Sequence, residues 1–390
     1  MIRTRLAPLL EWAVEERLPT PLHLFSERGV TAAVSYLRWH LEARISYATK
    51  ANPHPLMLAA LRDRVDEFNV TNLAHLRAVL AAGVEPGRVA FINPVIAADT
   101  ARKVLAMGVD RFVVDDARGL QTVASLGADV RLTLRLRPPW EGQSGRSVVR
   151  FGNTADALHD LALRAGEAGV RIEALSFFIG MHTESLEEAV PYEVALKELA
   201  ALHGRLSADG IAVPVINIGG GFPGAYRRFH REHPDFFDRI SDEIDSAFSD
   251  DVIVVCEPGR YLSEPAFAML TRVIADRRID GQRMTYLDGS GFAGLFETTF
   301  VDPGGSDLCL VTDRPGPATP THLLGPIMDS FDVIKRDALL PPLEGGDMLL
   351  FPNTGAYSWG YAAACEGVRQ PDVVALPPEL DELIARACLD

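Results

Sequence analysis

Lys50 ends the β-branched and aromatic run ISYAT (45–49) and is followed at once by Ala-Asn-Pro. Far along the chain, NIGGGFPG (217–224) sets Gly219, Gly220 and Gly221 in a row after an apolar run, and Glu257 follows VIVVC (252–256). An amine, a loop whose backbone N–H groups can approach an anion without Cβ obstruction, and a carboxylate are three different chemical tools. Together they suit pyridoxal 5′-phosphate: the amine condenses with the aldehyde, the glycines hold the phosphate, and the carboxylate keeps the pyridine nitrogen protonated. Taken singly, the lysine has a plainer reading as a solvated strand charge and the glycines as a tight turn, so it is the joint occurrence of all three that points to the cofactor.

The elements that must position these residues are legible as an alternation. Short apolar runs occur at 45–49, 65–70, 89–93, 111–116, 130–137, 172–180, 215–221 and 252–259. Between them lie segments such as PLMLAALRDR, LAHLRAVLAAG and ADALHDLALRAGEAG, whose apolar residues recur at three- and four-residue spacing. Eight strand-helix units over this length predict a (β/α)8 TIM barrel, because an open doubly wound sheet more often stops at five or six strands. In such a barrel chemistry sits at the C-terminal strand ends, which here carry Lys50, Asn69, Asn93, Arg135 or Arg137, Phe178, the three glycines and Glu257. After about residue 265, Gly/Pro-punctuated runs such as RMTYLDGSG and GDMLLFPNTGAYS predict a mostly β domain. The expected boundaries are 1–24 for an N-terminal segment packing with that domain, 25–265 for the barrel and 266–390 for the C-terminal β domain.

Six motifs in order, YATKAN (47–52), RFGN (150–153), GGGFPG (219–224), CEPGRYL (256–262), GPIMDSFDVI (325–334) and GAYS (355–358), make the chain resemble the fold-type III pyridoxal phosphate enzymes. The resemblance is to the ornithine/lysine/diaminopimelate decarboxylase-like group and covers nearly the whole chain. It implies an alanine racemase-like α/β barrel with a C-terminal β domain, and Lys50 as the Schiff-base lysine. It puts Gly220, Gly221, Gly259, Arg260 and Tyr357 around the phosphate and Glu257 on the pyridine nitrogen, with Arg135 and Phe178 also at the cofactor. A homodimer with active sites at the interface is implied too, the GPIMDSFD and GAYS loops contributing across it.

Departures from the family pattern are as informative. Met328 stands where the decarboxylases carry a cysteine that returns a proton to the substrate carbon, and a thioether has no proton to give. Phe178 and Met181 replace the histidine and serine of a pattern close to FHxGS, although Phe178 can still stack on a ring and His182 is adjacent. Asn69 and His75 stand where acids are usual. Lys50, Met328 and Asp329 fall at catalytic positions, while Asp329, Asp302 and Tyr357 fall at substrate-binding ones. Asp329 matches an aspartate that meets the distal amine of a basic amino acid, with a turn aspartate as the plain alternative. The expected activity is decarboxylation of an amino acid with a basic side chain. A racemase or specialised carbanion enzyme on the same scaffold, and a non-catalytic regulator of the antizyme-inhibitor type, are the alternatives.

Composition bounds the partners. A formal charge of -15 spread along 390 residues disfavours nucleic acid and anionic membranes. Cys256, Cys309, Cys365 and Cys388 form no CxxC pair, which with the acidic residues inside the N-terminal apolar run predicts a cytoplasmic protein. No His/Asp/Glu spacing suggests a metal site, and Trp140, Cys256 and Cys365 are read as packing or loop residues.

Overall fold

Eight parallel strands close into a barrel in the order β2 (Arg44–Ala48), β3 (Glu67–Val70), β4 (Val89–Phe91), β5 (Arg111–Val114), β6 (Arg131–Leu136), β7 (Arg171–Phe177), β8 (Val215–Asn217) and β9 (Ile253–Cys256). This is seen in a computed structural model that describes residues 6–127, 129–139, 150–180, 189–224, 233–297, 312, 314–362, 368 and 370–389. The chain divides into two units, Val34–Gly259 and the pair of segments Met1–Ala33 and Arg260–Asp390.

The barrel unit is built from local signals. The helices α3 (Pro55–Arg62), α4 (Leu73–Ala81), α6 (Ala117–Ala124) and α7 (Ala155–Glu167) each begin with a side-chain cap. Asn72 Oδ1 accepts from His75 N at 2.9 Å and Asp116 Oδ1 from Gly119 N at 2.7 Å. His54 and Thr154 cap α3 and α7 in the same way. Such a cap satisfies an otherwise orphaned N–H and is worth about 1 kcal/mol. It also fixes where each strand-to-helix loop ends, so the strand tips cannot wander. Below the tips Tyr47, Phe68, Phe91 and Phe112, from four successive strands, are almost wholly buried and fill the barrel wall. At the opposite strand ends Arg111 pairs with Glu67 at 2.8 Å, and Arg131 with Asp110 at 2.7 Å and Glu173 at 2.6 Å, tying β3, β5, β6 and β7 together.

The glycine loop after β8 is held by aromatic packing. Tyr192, on α8 (Ala189–Ala208), contacts Phe177, Phe222 and, from α9 (Phe236–Ala247), Phe236 at ring separations of 6.2, 5.8 and 5.8 Å. Its hydroxyl donates to Gly220 O at 3.0 Å.

The other unit is a seven-stranded sheet. Its main order is β13 (Val333–Leu340), β12 (Thr319–Leu324), β11 (Gln282–Leu287), β10 (Phe267–Ile279), β1 (Leu22–Phe25) and β15 (Asp372–Ala375), with β14 (Met348–Phe351) pairing to β10. β1 runs antiparallel to β10, Leu22 opposite Leu270, and parallel to β15, Leu22 opposite Asp372. Helix α1 (Ala7–Glu15) contributes Leu9, Leu10 and Ala13 to a cluster with Leu22, Leu24, Ala268, Leu270, Met348, Leu350 and Leu376. At roughly 1.5–3 kcal/mol for each fully buried leucine, this cluster is a main reason the N-terminal segment stays with the sheet. Asp332 is also buried: its carboxylate accepts from Ser290 Oγ at 3.0 Å and Gly291 N at 2.8 Å, anchoring the segment that carries Met328 and Asp329.

Candidate active site

Within the barrel unit the strand tips bring together a lysine, two arginines, a carboxylate and two aromatic rings. Lys50 lies in a single 3-10 turn (Thr49–Ala51) directly after β2. Ala48 N donates to Pro258 O at 3.1 Å, which fixes that turn beside the tip of β9 and hence beside Glu257. Lys50 Nζ and the Arg135 guanidinium carbon each stand 5.5 Å from the centre of the Phe178 ring. Arg135 also covers Phe151 at 5.5 Å, and Arg150 covers that second ring at 5.2 Å.

Burial is the first cause of the shifted pKa values here. Loss of solvent pulls the Lys50 amine below its ordinary pKa; Glu257 works against the shift, and Arg135 and Arg150 add to it. Burial likewise pushes the Glu257 carboxyl above the usual range, opposed by the hydrogen bond from Asn217 and the fields of Arg135 and Lys50. His75, near the N-terminus of α4, is shifted down by burial and then by Lys50, and its Nδ1 meets Thr71 Oγ1 at 3.2 Å.

The backbone of the glycine run braces this arrangement. Asn217 Nδ2 donates to Glu257 Oε1 at 2.9 Å, its Oδ1 accepts from Gly219 N at 2.8 Å, and Glu257 N donates to Gly219 O at 2.7 Å. A Cβ on Gly219, where φ is +68°, would lie 2.3 Å from Phe177 O, and one on Gly220 would lie 2.2 Å from Glu257 O. These glycines let three strand tips approach each other closely, a demand of the barrel itself that precedes any anion.

Gly221 and Gly259 belong to the barrel unit, and the second unit holds Arg260, Tyr357, Met328 and Asp329. Arg260 opens α10 (Arg260–Ser263), contacts Glu297 at 2.5 Å and Glu264 at 3.5 Å, and lies 5.3 Å from the Tyr357 ring centre. Tyr357 adopts a left-handed backbone, φ +50°, and burial raises its hydroxyl pKa to about 12. Met328 is 90% exposed, and Asp329 Oδ1 caps its own turn by accepting from Phe331 N at 2.8 Å. Asp302, Met181, His182, Trp140, Cys309 and Cys365 lie outside the described residues.

Sequence reading passed over Asn217, Phe151 and Glu297 as site residues. Asn217 had a usable signal, since it directly precedes a glycine run whose first N–H it caps. Nothing in the spacing of Glu297 distinguishes it from other loop acids.

The family described as "Pyridoxal-dependent decarboxylase, pyridoxal binding domain" matches residues 28–264. The chain belongs to this family. This pyridoxal-dependent decarboxylase is 29% identical to the lysine/ornithine decarboxylase of Selenomonas ruminantium over 88% of its own length and 86% of that protein. It is 27% identical to antizyme inhibitor 2 of Xenopus laevis, over 84% of this chain and 74% of that one. The crystal structure of a lysine/ornithine decarboxylase complexed with cadaverine from Vibrio vulnificus superposes with a TM-score of 0.85 at 26% identity, covering 95% of this chain and 98% of the other.

The decarboxylase's residues fit the pyridoxal cofactor on observations of their own. Lys50 has the lowered pKa that a condensing amine needs, and Glu257 is a carboxylate held out of water with one oxygen already committed to Asn217. Thr49 Oγ1 and Asn69 Oδ1 are buried near Lys50 without a hydrogen-bond partner among the described residues, so the same strand tips offer polar atoms to a ligand. Among those residues no three His, Cys, Asp or Glu side chains converge as a metal site, and no helix is long and apolar enough to cross a membrane.

Proposed function

We propose that this decarboxylase removes the α-carboxylate of an amino acid with a basic side chain, of the lysine, ornithine or arginine type. The observation that carries the reading is the juxtaposition of Lys50 and Glu257 at adjoining strand tips, each shifted toward its neutral form by burial. Bound pyridoxal phosphate supplies an electron-withdrawing ring into which the electrons of the breaking Cα–CO2 bond can flow. The chain's own residues do the rest. Lys50 would offer an amine able to attack a carbonyl and to accept or give a proton, Glu257 would hold the ring nitrogen, and Phe178 would offer a flat apolar face. Gly220, Gly221, Gly259, Arg260 and Tyr357 are assigned to the phosphate. Asp329, and Asp302 beyond the described residues, are assigned to the distal cation of the substrate. The basic side chain is supported by relatives named for lysine and ornithine and by the carboxylate at Asp329.

Two copies of the chain make the working enzyme in this reading. Met328 and Phe331, 90% and 73% exposed in a single chain, are the apolar surface that a second copy would cover.

The test incubates the cofactor-loaded protein with a panel of amino acids, following CO2 and product mass together, beside Lys50→Ala. A basic amino acid yielding its amine, with the visible absorbance of the bound cofactor abolished in Lys50→Ala, is the expected result. Preferential decarboxylation of an acidic amino acid would defeat the substrate assignment. No turnover by a protein that nonetheless shows the absorbance band would favour a regulator, as the antizyme-inhibitor relative suggests.

A further inference from the structure

The glycine run assigned above to the cofactor phosphate has a conformational weakness. The peptide between Gly220 and Gly221 has a glycine on either side, so it can turn over at little steric cost. A peptide that turns over presents a carbonyl oxygen to an anion where an N–H is needed. Three hydrogen bonds set the run. Asn217 Oδ1 accepts from Gly219 N at 2.8 Å, Glu257 N donates to Gly219 O at 2.7 Å, and the Tyr192 hydroxyl donates to Gly220 O at 3.0 Å. The first two come from residues at the tips of β8 and β9. The third comes from helix α8, and it is the one that acts on the peptide between the two glycines.

Tyr192 is placed to act as an anchor. Its ring is buried and held by Phe177, Phe222 and Phe236, so the hydroxyl is delivered at a fixed point, 3.5 Å from where a Cβ on Gly221 would stand. This peptide is trans, and in a trans peptide the C=O and the N–H point in opposite directions. With Gly220 O drawn towards Tyr192, Gly221 N–H faces away from it. Neither Gly220 N nor Gly221 N donates to another described residue. Gly220 is buried whereas Gly221 is half-buried, so the chain passes from packed wall to accessible space at the peptide that Tyr192 holds.

We infer that Tyr192 is a positioning residue for cofactor binding, its hydroxyl fixing the peptide between Gly220 and Gly221 with the N–H turned to the phosphate. This rests on the assignment of Gly220 and Gly221 to the phosphate, and every residue it needs belongs to the barrel unit. Tyr192→Phe keeps the ring and its packing but takes the donor from a buried carbonyl, so the peptide loses its anchor.

The experiment titrates the full chain, stripped of cofactor, with pyridoxal phosphate and separately with unphosphorylated pyridoxal, reading dissociation constants from absorbance. Tyr192→Phe is expected to bind pyridoxal phosphate roughly ten-fold more weakly while its affinity for pyridoxal stays unchanged. Equal weakening of both ligands would make the hydroxyl a support of the barrel as a whole and overturn the inference, and so would a variant that binds both as the parent does. Hydrogen–deuterium exchange of the segment 219–224, in protein saturated with either ligand, separates the part of Tyr192 from the phosphate assignment. In the parent, pyridoxal phosphate should slow exchange of these amides more than pyridoxal does, and Tyr192→Phe should lose that difference. No difference in the parent would remove the phosphate assignment itself. A difference that persists in Tyr192→Phe would leave the assignment standing and overturn the part given to Tyr192.

Discussion

Lys50 Nζ stands 5.5 Å from the centre of the Phe178 ring, and the ring is shared with Arg135. An aromatic ring near both cations lowers the cost of holding them in one small space. Arg135 keeps its charge throughout the working pH range, whereas Lys50 contributes only while protonated. Phe178→Leu preserves apolar bulk but removes the ring face, and should destabilise the chain by about 1–2 kcal/mol in urea unfolding. A variant as stable as the parent would reduce Phe178 to a filler of space.

The burial of Glu257 gives stability a definite slope with pH. Its folded pKa lies above the unfolded value of about 4.3, so the stability linked to this group falls as pH rises from that value through the folded pKa. Gln cannot ionise. Glu257→Gln should therefore gain stability relative to the parent as pH rises through that window and keep the gain above it. Unfolding midpoints of the cofactor-stripped proteins at pH values of about 4 and 7.5 check this, and a difference that shrinks towards neutral pH would contradict it.

Two glycines make a paired test of backbone proximity. Gly220→Ala drives a methyl group against Glu257 O, which belongs to backbone and cannot swing aside, and should cost about 3 kcal/mol. Gly204→Ala, within α8 and with nothing near its Cβ position, should instead stabilise by about 0.5–1 kcal/mol. Thermal denaturation of the two variants should give shifts of opposite sign.

Met328 and Asp329 are neighbours in one loop, and the proposed function gives them different parts. A thioether has no proton to give, so Met328→Leu should leave the rate of CO2 release within about two-fold of the parent. Asp329→Asn removes the charge assigned to the distal amine and should raise KM for the basic substrate roughly ten-fold or more, with a smaller change in kcat. Loss of CO2 release in Met328→Leu would assign the thioether a role that its chemistry does not suggest.

The barrel was legible because its signals are local. Each strand is a short apolar run, and the polar caps at Asn72, Asp116 and Thr154 mark where the helices begin. Lys50 and Glu257 stood out for the same reason, as charged residues at the ends of such runs. Pairings between distant segments were less accessible. Leu22–Phe25 is one strand among many until its partners are known, and those lie far along the chain, at Phe267–Leu270 and Asp372–Ala375. Gly219 and Gly220 were legible as glycines needed for close approach, but the atoms that crowd them belong to other strand tips, which no linear spacing reveals. Glu297 was invisible for a related reason: its importance comes from Arg260 and Tyr361, with which it shares no periodic pattern.

The position of β1 between β10 and β15 bears on how the polypeptide is made. Every strand of the barrel has been synthesised once Cys256 is added, but β1 gains its first neighbour only with Phe267 and its second only with Asp372. Since nascent chains fold as their parts emerge, the barrel can close while the earlier segment still waits for strands not yet translated. A product cut short before Asp372 would leave β1 as a bare edge of four buried-type residues, Leu-His-Leu-Phe. Such an edge invites pairing with other chains, so release of a truncated polypeptide should lead to aggregation rather than to a soluble half-enzyme.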